Sequence, residues 1–173
     1  MLIIAFLVVA VTVSFIYVRA AGAVMWKGLL IFALCFAVLN LLYVIGLAVV
    51  SLFVSTSKPI SKQNALCRAS CIGVAGLITG YSWIRTHISG MDKLPDAGRF
   101  VFVCNHRSGF DPLIVMDKLR KYNISFVSKP SNMHIPVAGK LAYGAGFLSI
   151  DRENDRNALR TILQAADYVK RGL

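Results

Sequence analysis

Residues 99–112 read Arg99-Phe100-Val101-Phe102-Val103-Cys104-Asn105-His106-Arg107-Ser108-Gly109-Phe110-Asp111-Pro112. The apolar run through Cys104 has the pattern of a short strand buried on both faces. Asp111-Pro112 opens a helix, with Asp111 expected as its N-cap and Pro112 at the first helical position. Between the two lies a tight, glycine-containing loop that sets His106 and Asp111 five positions apart. A loop at the carboxyl end of a strand is where open α/β sheets place their chemistry. A histidine there can act as general base. A carboxylate on its other ring nitrogen fixes the tautomer and stabilises the imidazolium that forms. A surface histidine beside a helix cap would leave the same spacing, and Asp111 can serve as cap and orienter together.

Working outward, residues 89–98 form a turn-rich lead-in punctuated by Gly90, Pro95 and Gly98. Beyond the loop, residues 124–127 read as a second strand. Pro136 opens a short helix to about Tyr143, ended by Gly144 and Gly146. Residues 147–150 read as a third strand. Asn154 or Asp155 caps a last helix, with Leu159, Ile162, Leu163, Ala166 and Val169 on one face and Gly172 as its C-terminal cap. Alternating strands and helices predict an α/β layer with a partly parallel, mixed sheet and helices on its faces. There is no internal repeat and no low-complexity tract.

The amino-terminal half is of another kind. Of the 173 residues, 57% are apolar and 16% charged, against ~45–50% and ~25% in an ordinary soluble domain. That composition excludes a disordered chain and argues against a plain soluble globule. The net charge is +11, and the first acidic residue is Asp92. A basic, acid-free, apolar first half suits anionic lipid rather than nucleic acid. Cys35, Cys67, Cys71 and Cys104 are too few and too apolar in setting for a disulfide scaffold and read as reduced thiols, Cys104 within the buried strand. No grouping of Cys, His or acids has metal-ligand spacing.

Residues 2–18 carry no charge and read as a membrane anchor rather than a signal peptide, since no Lys or Arg precedes them. Residues 28–54 are apolar for longer than one untilted crossing. Ser57-Lys58-Pro59 interrupts the pattern. In residues 62–84 a polar or small stripe (Asn64, Arg68, Cys71, Ala75, Thr79, Ser82, Thr86) recurs every three or four positions, with Leu66, Ile72, Leu77 and Ile84 off it. The division expected is a transmembrane anchor at 1–27, a membrane-associated helical pair at 28–88 and a catalytic domain at 89–173. From charge alone, one span followed by a hairpin in the cytoplasmic leaflet keeps every Lys and Arg on one side, and the positive-inside rule favours it over two crossings.

The motif Asn105-His106-x-Ser108-x-x-Asp111-Pro112 after an apolar strand resembles the first signature block of the 1-acyl-sn-glycerol-3-phosphate acyltransferases, the glycerolipid acyltransferase family. Gly90-Met91-Asp92-Lys93-Leu94-Pro95 is similar to that family's Gly-x-Glu-x-Leu-Pro lead-in. Lys129 with Ile135-Pro136-Val137-Ala138-Gly139 resembles its second block, with Ser131-Asn132 standing where Glu-Leu is usual. Residues 146–152, Gly-Phe-Leu-Ser-Ile-Asp-Arg, resemble its Gly-x-apolar-x-apolar-Asp-Arg run. The blocks fall in the family's order over about 89–173. The family's third block, Glu-Gly-Thr-Arg, is absent, and the chain is expected to be the amino-terminal portion of a longer protein, its sheet incomplete at the carboxyl end.

The resemblance implies acyl transfer from acyl-CoA or an acyl-carrier-protein thioester to the hydroxyl of lysophosphatidate, a lysophospholipid, in phospholipid biosynthesis. It implies no cofactor beyond the acyl donor, which is a substrate. The catalytic domain is then expected on the cytoplasmic side of the bilayer. In this reading His106 is the base and Asp111 its orienter. Asn105, Ser108 and loop amides shape the site or donate to the oxyanion. Lys129 and Arg152 are candidates for the acceptor phosphate, and Arg107 for phosphate or headgroup. A rival acyl-cysteine route through Cys104 is disfavoured, because that sulfur belongs to a buried apolar strand where a thiolate is unfavourable. A non-catalytic, membrane-anchored lipid-binding module of the same fold is the alternative function.

Overall fold

A computed structural model of the chain describes residues 2–57, 60–95 and 99–172. Lys58, Pro59 and Gly98, which the sequence reading uses as breaks, lie outside the described residues. The chain divides into two compact units, residues 1–49 and 50–173. The first holds helix α1 (Leu2–Ala21) and most of α2 (Met25–Leu52). Helix is the form that lets an uninterrupted apolar run satisfy its own backbone. The two helices run antiparallel: Ser14 Oγ donates to the Gly28 carbonyl at 2.6 Å, and the Phe6 and Tyr43 rings meet edge-on.

The second unit begins with α3 (Ala65–Tyr81), started by Asn64, whose side chain accepts from the Leu66 and Cys67 amides at 2.9 and 3.2 Å. Two helices further along the chain pack on α3: α4 (Asp111–Lys118) and α6 (Ala138–Gly144). The contact side of α3 is built of small residues. Cys67 and Ala75 are fully buried, with Ser70 and Thr79 nearly so. A Cβ on Gly144 would lie 2.6 Å from Cys67 Sγ, so α6 reaches α3 only because residue 144 has none. Arg68 reaches the far end of α4 and donates to the Arg120 and Tyr122 carbonyls at 2.8 and 2.6 Å. Leu77, which lies off the polar stripe in sequence, is buried with it, while Leu66 is 58% exposed.

The sheet is smaller than the sequence predicts. Strand β1 (Val127–Ser128) pairs in parallel with β2 (Leu148–Ser149), Val127 opposite Leu148 and Ser128 opposite Ser149. Helices α5 (Pro130–Met133) and α6 make the crossover between them. The expected strand at 99–104 is irregular, and Val101 and Val103 are 72% and 85% exposed. Apolar, β-branched composition supplies the propensity for a strand, but a strand also needs a ladder partner, and no neighbouring strand lies beside this segment among the described residues. Among the described residues the unit is therefore mostly helical with a two-stranded parallel sheet, and the larger mixed sheet is not seen there.

Two further corrections concern helices. Pro136 and Val137 precede α6 rather than open it: Val137 takes φ 63°, ψ −60° as the Ala138 amide turns back to the Pro136 carbonyl at 2.6 Å. Helix α7 (Asp155–Arg171) has the expected ends, with Asn154 Oδ1 accepting from the Asn157 amide and Gly172 left-handed at φ 77°. Its expected face does not pack. Leu159, Ile162 and Leu163 are more than half exposed, whereas Tyr168 is buried and Thr161 Oγ1 donates to the Ser149 carbonyl of β2 at 2.9 Å. The contact side of α7 thus follows the Thr161–Tyr168 line.

Candidate active site

The loop from His106 to Asp111 folds around one carboxylate oxygen. Asp111 Oδ2 accepts from the Arg107 amide at 2.7 Å and the Ser108 amide at 2.8 Å, and lies 3.0 Å from His106 Nδ1. Ser108 closes the turn from the other side: its carbonyl accepts from the Asp111 amide at 3.0 Å and its Oγ from the Phe110 amide at 3.2 Å. Phe110, not Asp111, occupies the cap position of α4, and it makes no side-chain cap. Asp111 is the first helical residue, and its carboxylate reaches back over the loop instead of forward into the helix. Its placement at a helix N-terminus suits an anion.

The electrostatics follow from those donors. The Ser108 amide first, then the Arg107 amide, hold the Asp111 carboxyl below the usual carboxylate range; desolvation opposes them, and the contact to His106 adds a lesser lowering. An ionised carboxylate at Nδ1 keeps the ring proton there and leaves the Nε2 lone pair to accept another. The His106 side chain is 62% exposed, so a reactant hydroxyl has access to it.

His106, Arg107, Ser108 and Asp111 are thus brought together, and Asn105 lies exposed immediately before them. Lys129 is exposed directly after β1, and Arg152 is exposed just after β2. Because the strands are parallel and the Ile150 amide donates to the Ser128 carbonyl at 2.9 Å, both cations leave the same end of the sheet. Asn132, at the place where the resembled motif differs, donates from Nδ2 to Ser128 Oγ at 2.8 Å. Gly139 of the same block is fixed by packing, since a Cβ there would collide with the Met133 carbonyl. Cys104 is exposed rather than buried, because the strand expected to bury it does not form. The sequence reading missed the Arg107 and Ser108 amides as holders of Asp111. Backbone donors leave no side-chain trace; the only sign of them is the spacing of three and four residues to the acid.

The chain matches the profile of the Acyltransferase family over residues 85–172, half of its length, and belongs to that family. It is 31% identical over 86 residues to a 1-acyl-sn-glycerol-3-phosphate acyltransferase of Chlamydomonas reinhardtii, a match covering 49% of this chain and 25% of that protein. The chain therefore spans about a quarter of the length of that relative. No solved structure matches it.

Proposed function

We propose that the protein is a membrane-associated acyltransferase that moves a fatty acyl group from acyl-CoA or an acyl-carrier-protein thioester to the free hydroxyl of 1-acylglycerol-3-phosphate. The observation that carries this reading is the contact of His106 Nδ1 with an Asp111 carboxylate fixed by two amides. His106 Nε2 takes the proton of the acceptor hydroxyl as its oxygen attacks the thioester carbonyl carbon. The tetrahedral adduct collapses, the C–S bond breaks, and the imidazolium returns the proton to the departing sulfur. The products are an ester and a thiol. Base assistance of this kind gives ~10²–10⁴ in rate.

The amides of Arg107 and Ser108 are committed to Asp111, and the Phe110 amide to Ser108 Oγ. The oxyanion of the adduct is then left to the Asn105 side chain, the Ser108 hydroxyl proton and the Gly109 amide. Lys129 and Arg152 attract the phosphate of the acceptor from one end of the sheet, and Arg107 contacts phosphate or headgroup. The acceptor lies in the bilayer and a polar thioester carrier arrives from solution, which supports a catalytic unit at the cytoplasmic surface. A lipid-binding module that keeps the fold without turnover is the competing reading. The two are separated by supplying acyl-CoA and lysophosphatidate to the full protein in phospholipid vesicles. An acyltransferase forms phosphatidate and free thiol in equal amounts; a binding module retains lysophosphatidate and releases no thiol above background.

A further inference from the structure

We propose that α1 and α2 cross the bilayer together as a two-span hairpin, so that the turn at residues 22–24 emerges in the anionic headgroup layer of the far leaflet. The contacts between the helices carry this. Near the turn, Ser14 Oγ donates to the Gly28 carbonyl at 2.6 Å, and a Cβ on Gly28 would lie only 2.6 Å from Val18 Cγ2. Far from the turn, the Phe6 and Tyr43 rings meet with centroids 6.1 Å apart, and Ala10 between these points is fully buried. Helix α2 is tied alongside α1 from Gly28 to Tyr43, a rise of about 22 Å. If residues 2–18 cross, that part of α2 reaches the same depth. The arrangement expected from charge alone, in which α2 lies in the cytoplasmic leaflet while α1 crosses, requires the helices to part company where these contacts hold them.

The rest of the hairpin has the chemistry of a span. Helix α1 has 20 residues, about 30 Å, the thickness of the ~30 Å hydrocarbon core. Only 6% of the most apolar window of either helix is buried in protein, which separates both from the core helix of a globule. Val8, Phe15, Leu34 and Leu41 are each more than half exposed on their outer faces. Polar donors within the apolar stretches are used inside the hairpin: Thr12 Oγ1 donates to the Val8 carbonyl and Asn40 Nδ2 to the Phe36 carbonyl, each at 2.8 Å, and Ser14 Oγ to the facing helix. Lipid demands that economy.

The charges sit at the ends. Arg19 and Lys27 are the charged side chains nearest the turn, both exposed, with no acidic residue before Asp92 to neutralise them. A hairpin that dipped into one leaflet would leave both among acyl chains. Trp26 is 57% exposed beside them, its ring 5.8 Å from the Lys27 ammonium. Two cations and a tryptophan at one end are the composition of a headgroup interface, and anionic phospholipid supplies the opposite charge. Beyond α2 lie Lys58, Lys62, Arg68 and Arg85, four cations against two at the turn. The positive-inside rule therefore keeps residue 2 and the segment after α2 on the cytoplasmic side.

The test replaces Cys35, Cys67, Cys71 and Cys104 by alanine in the full chain and adds Ala23→Cys or Ser57→Cys. Right-side-out membranes are treated with an impermeant maleimide. Ala23→Cys is expected to label in closed membranes and Ser57→Cys only after the membrane is opened. Labelling of Ala23→Cys only after opening would overturn the hairpin. A second measurement leaves the cysteines in place: Trp83→Phe makes Trp26 the sole tryptophan, and lipids brominated at different depths quench it. Strongest quenching by bromine nearest the headgroups agrees with the proposal, and strongest quenching from the bilayer centre contradicts it. Neither measurement reads acyl transfer, so failure here is distinct from failure of the proposed activity.

Discussion

With Asp111 changed to Asn, the loop keeps a side chain of the same shape but exchanges an anion for an amide. The amide oxygen, in the place of Oδ2, can still accept from the Arg107 and Ser108 amides and from His106 Nδ1–H, so the ring keeps its tautomer but loses the anion beside it. The turnover number is expected to fall by about 10²–10⁴, because the imidazolium formed at His106 loses the anion that stabilises it, with the helical circular dichroism of the protein unchanged. A loss below tenfold would show that the charge of Asp111 does not support His106. The same substitution has a signature in acid. The folded carboxyl is held below its usual range, so its stabilisation is fully present above the unfolded value of ~3.9 and is lost as pH falls through the lower folded value. The stability gap between wild type and Asp111→Asn should therefore close as pH falls below about 4, and a gap constant down to pH 2 would contradict the assignment. Lys129 tests the acceptor side. Lys129→Ala is expected to raise the Michaelis constant for lysophosphatidate about tenfold, on the order of one lost charged contact, with that for acyl-CoA nearly unchanged. Equal increases in both would point to damage of the fold.

At the scale of elements, the loop was legible because it is local. Everything that fixes Asp111 lies within five residues of it, so spacing alone could point to the pair. The cap was misread by one position, since Asp111 spends its carboxylate on the residues before it and not on its helix. The segment 99–104 shows the opposite case. Its residues favour a strand, but pairing depends on a remote neighbour that local pattern does not contain. Helix α7 has legible ends and an illegible face, because the residues that meet the rest of the unit, Thr161 bonded to β2 and buried Tyr168, do not belong to the apolar face that periodicity picks out. The contact of α3 with α6 is open to a direct test. Gly144→Ala would press a methyl against Cys67 Sγ and is expected to cost ~1–3 kcal/mol, as overpacking does. Combining it with Cys67→Ala removes the obstructing sulfur, so the double variant should be less destabilised than the sum of the two. Simple additivity in denaturant unfolding would show that the helices do not meet there.

At the scale of the whole molecule, a basic apolar unit and a unit of the Acyltransferase family share one chain, and the first was recognisable from composition before any geometry. Charge balance alone favoured a single crossing. The pairing of α1 with α2 was hidden from it because Ser14, Gly28, Phe6 and Tyr43 make no periodic signal of their own. Activity of a lipid acyltransferase is meaningful only at a bilayer, so the decisive assay uses the full protein, with its apolar helices, in phospholipid vesicles. His106→Ala removes the proposed base while leaving Asp111 and its two amide donors in place. At saturating acyl-CoA, the account predicts that acylation of lysophosphatidate drops by at least about 10², with vesicle association and thermal unfolding as in the wild type. Activity within tenfold of wild type, in a variant that is equally folded and equally bound, would contradict it.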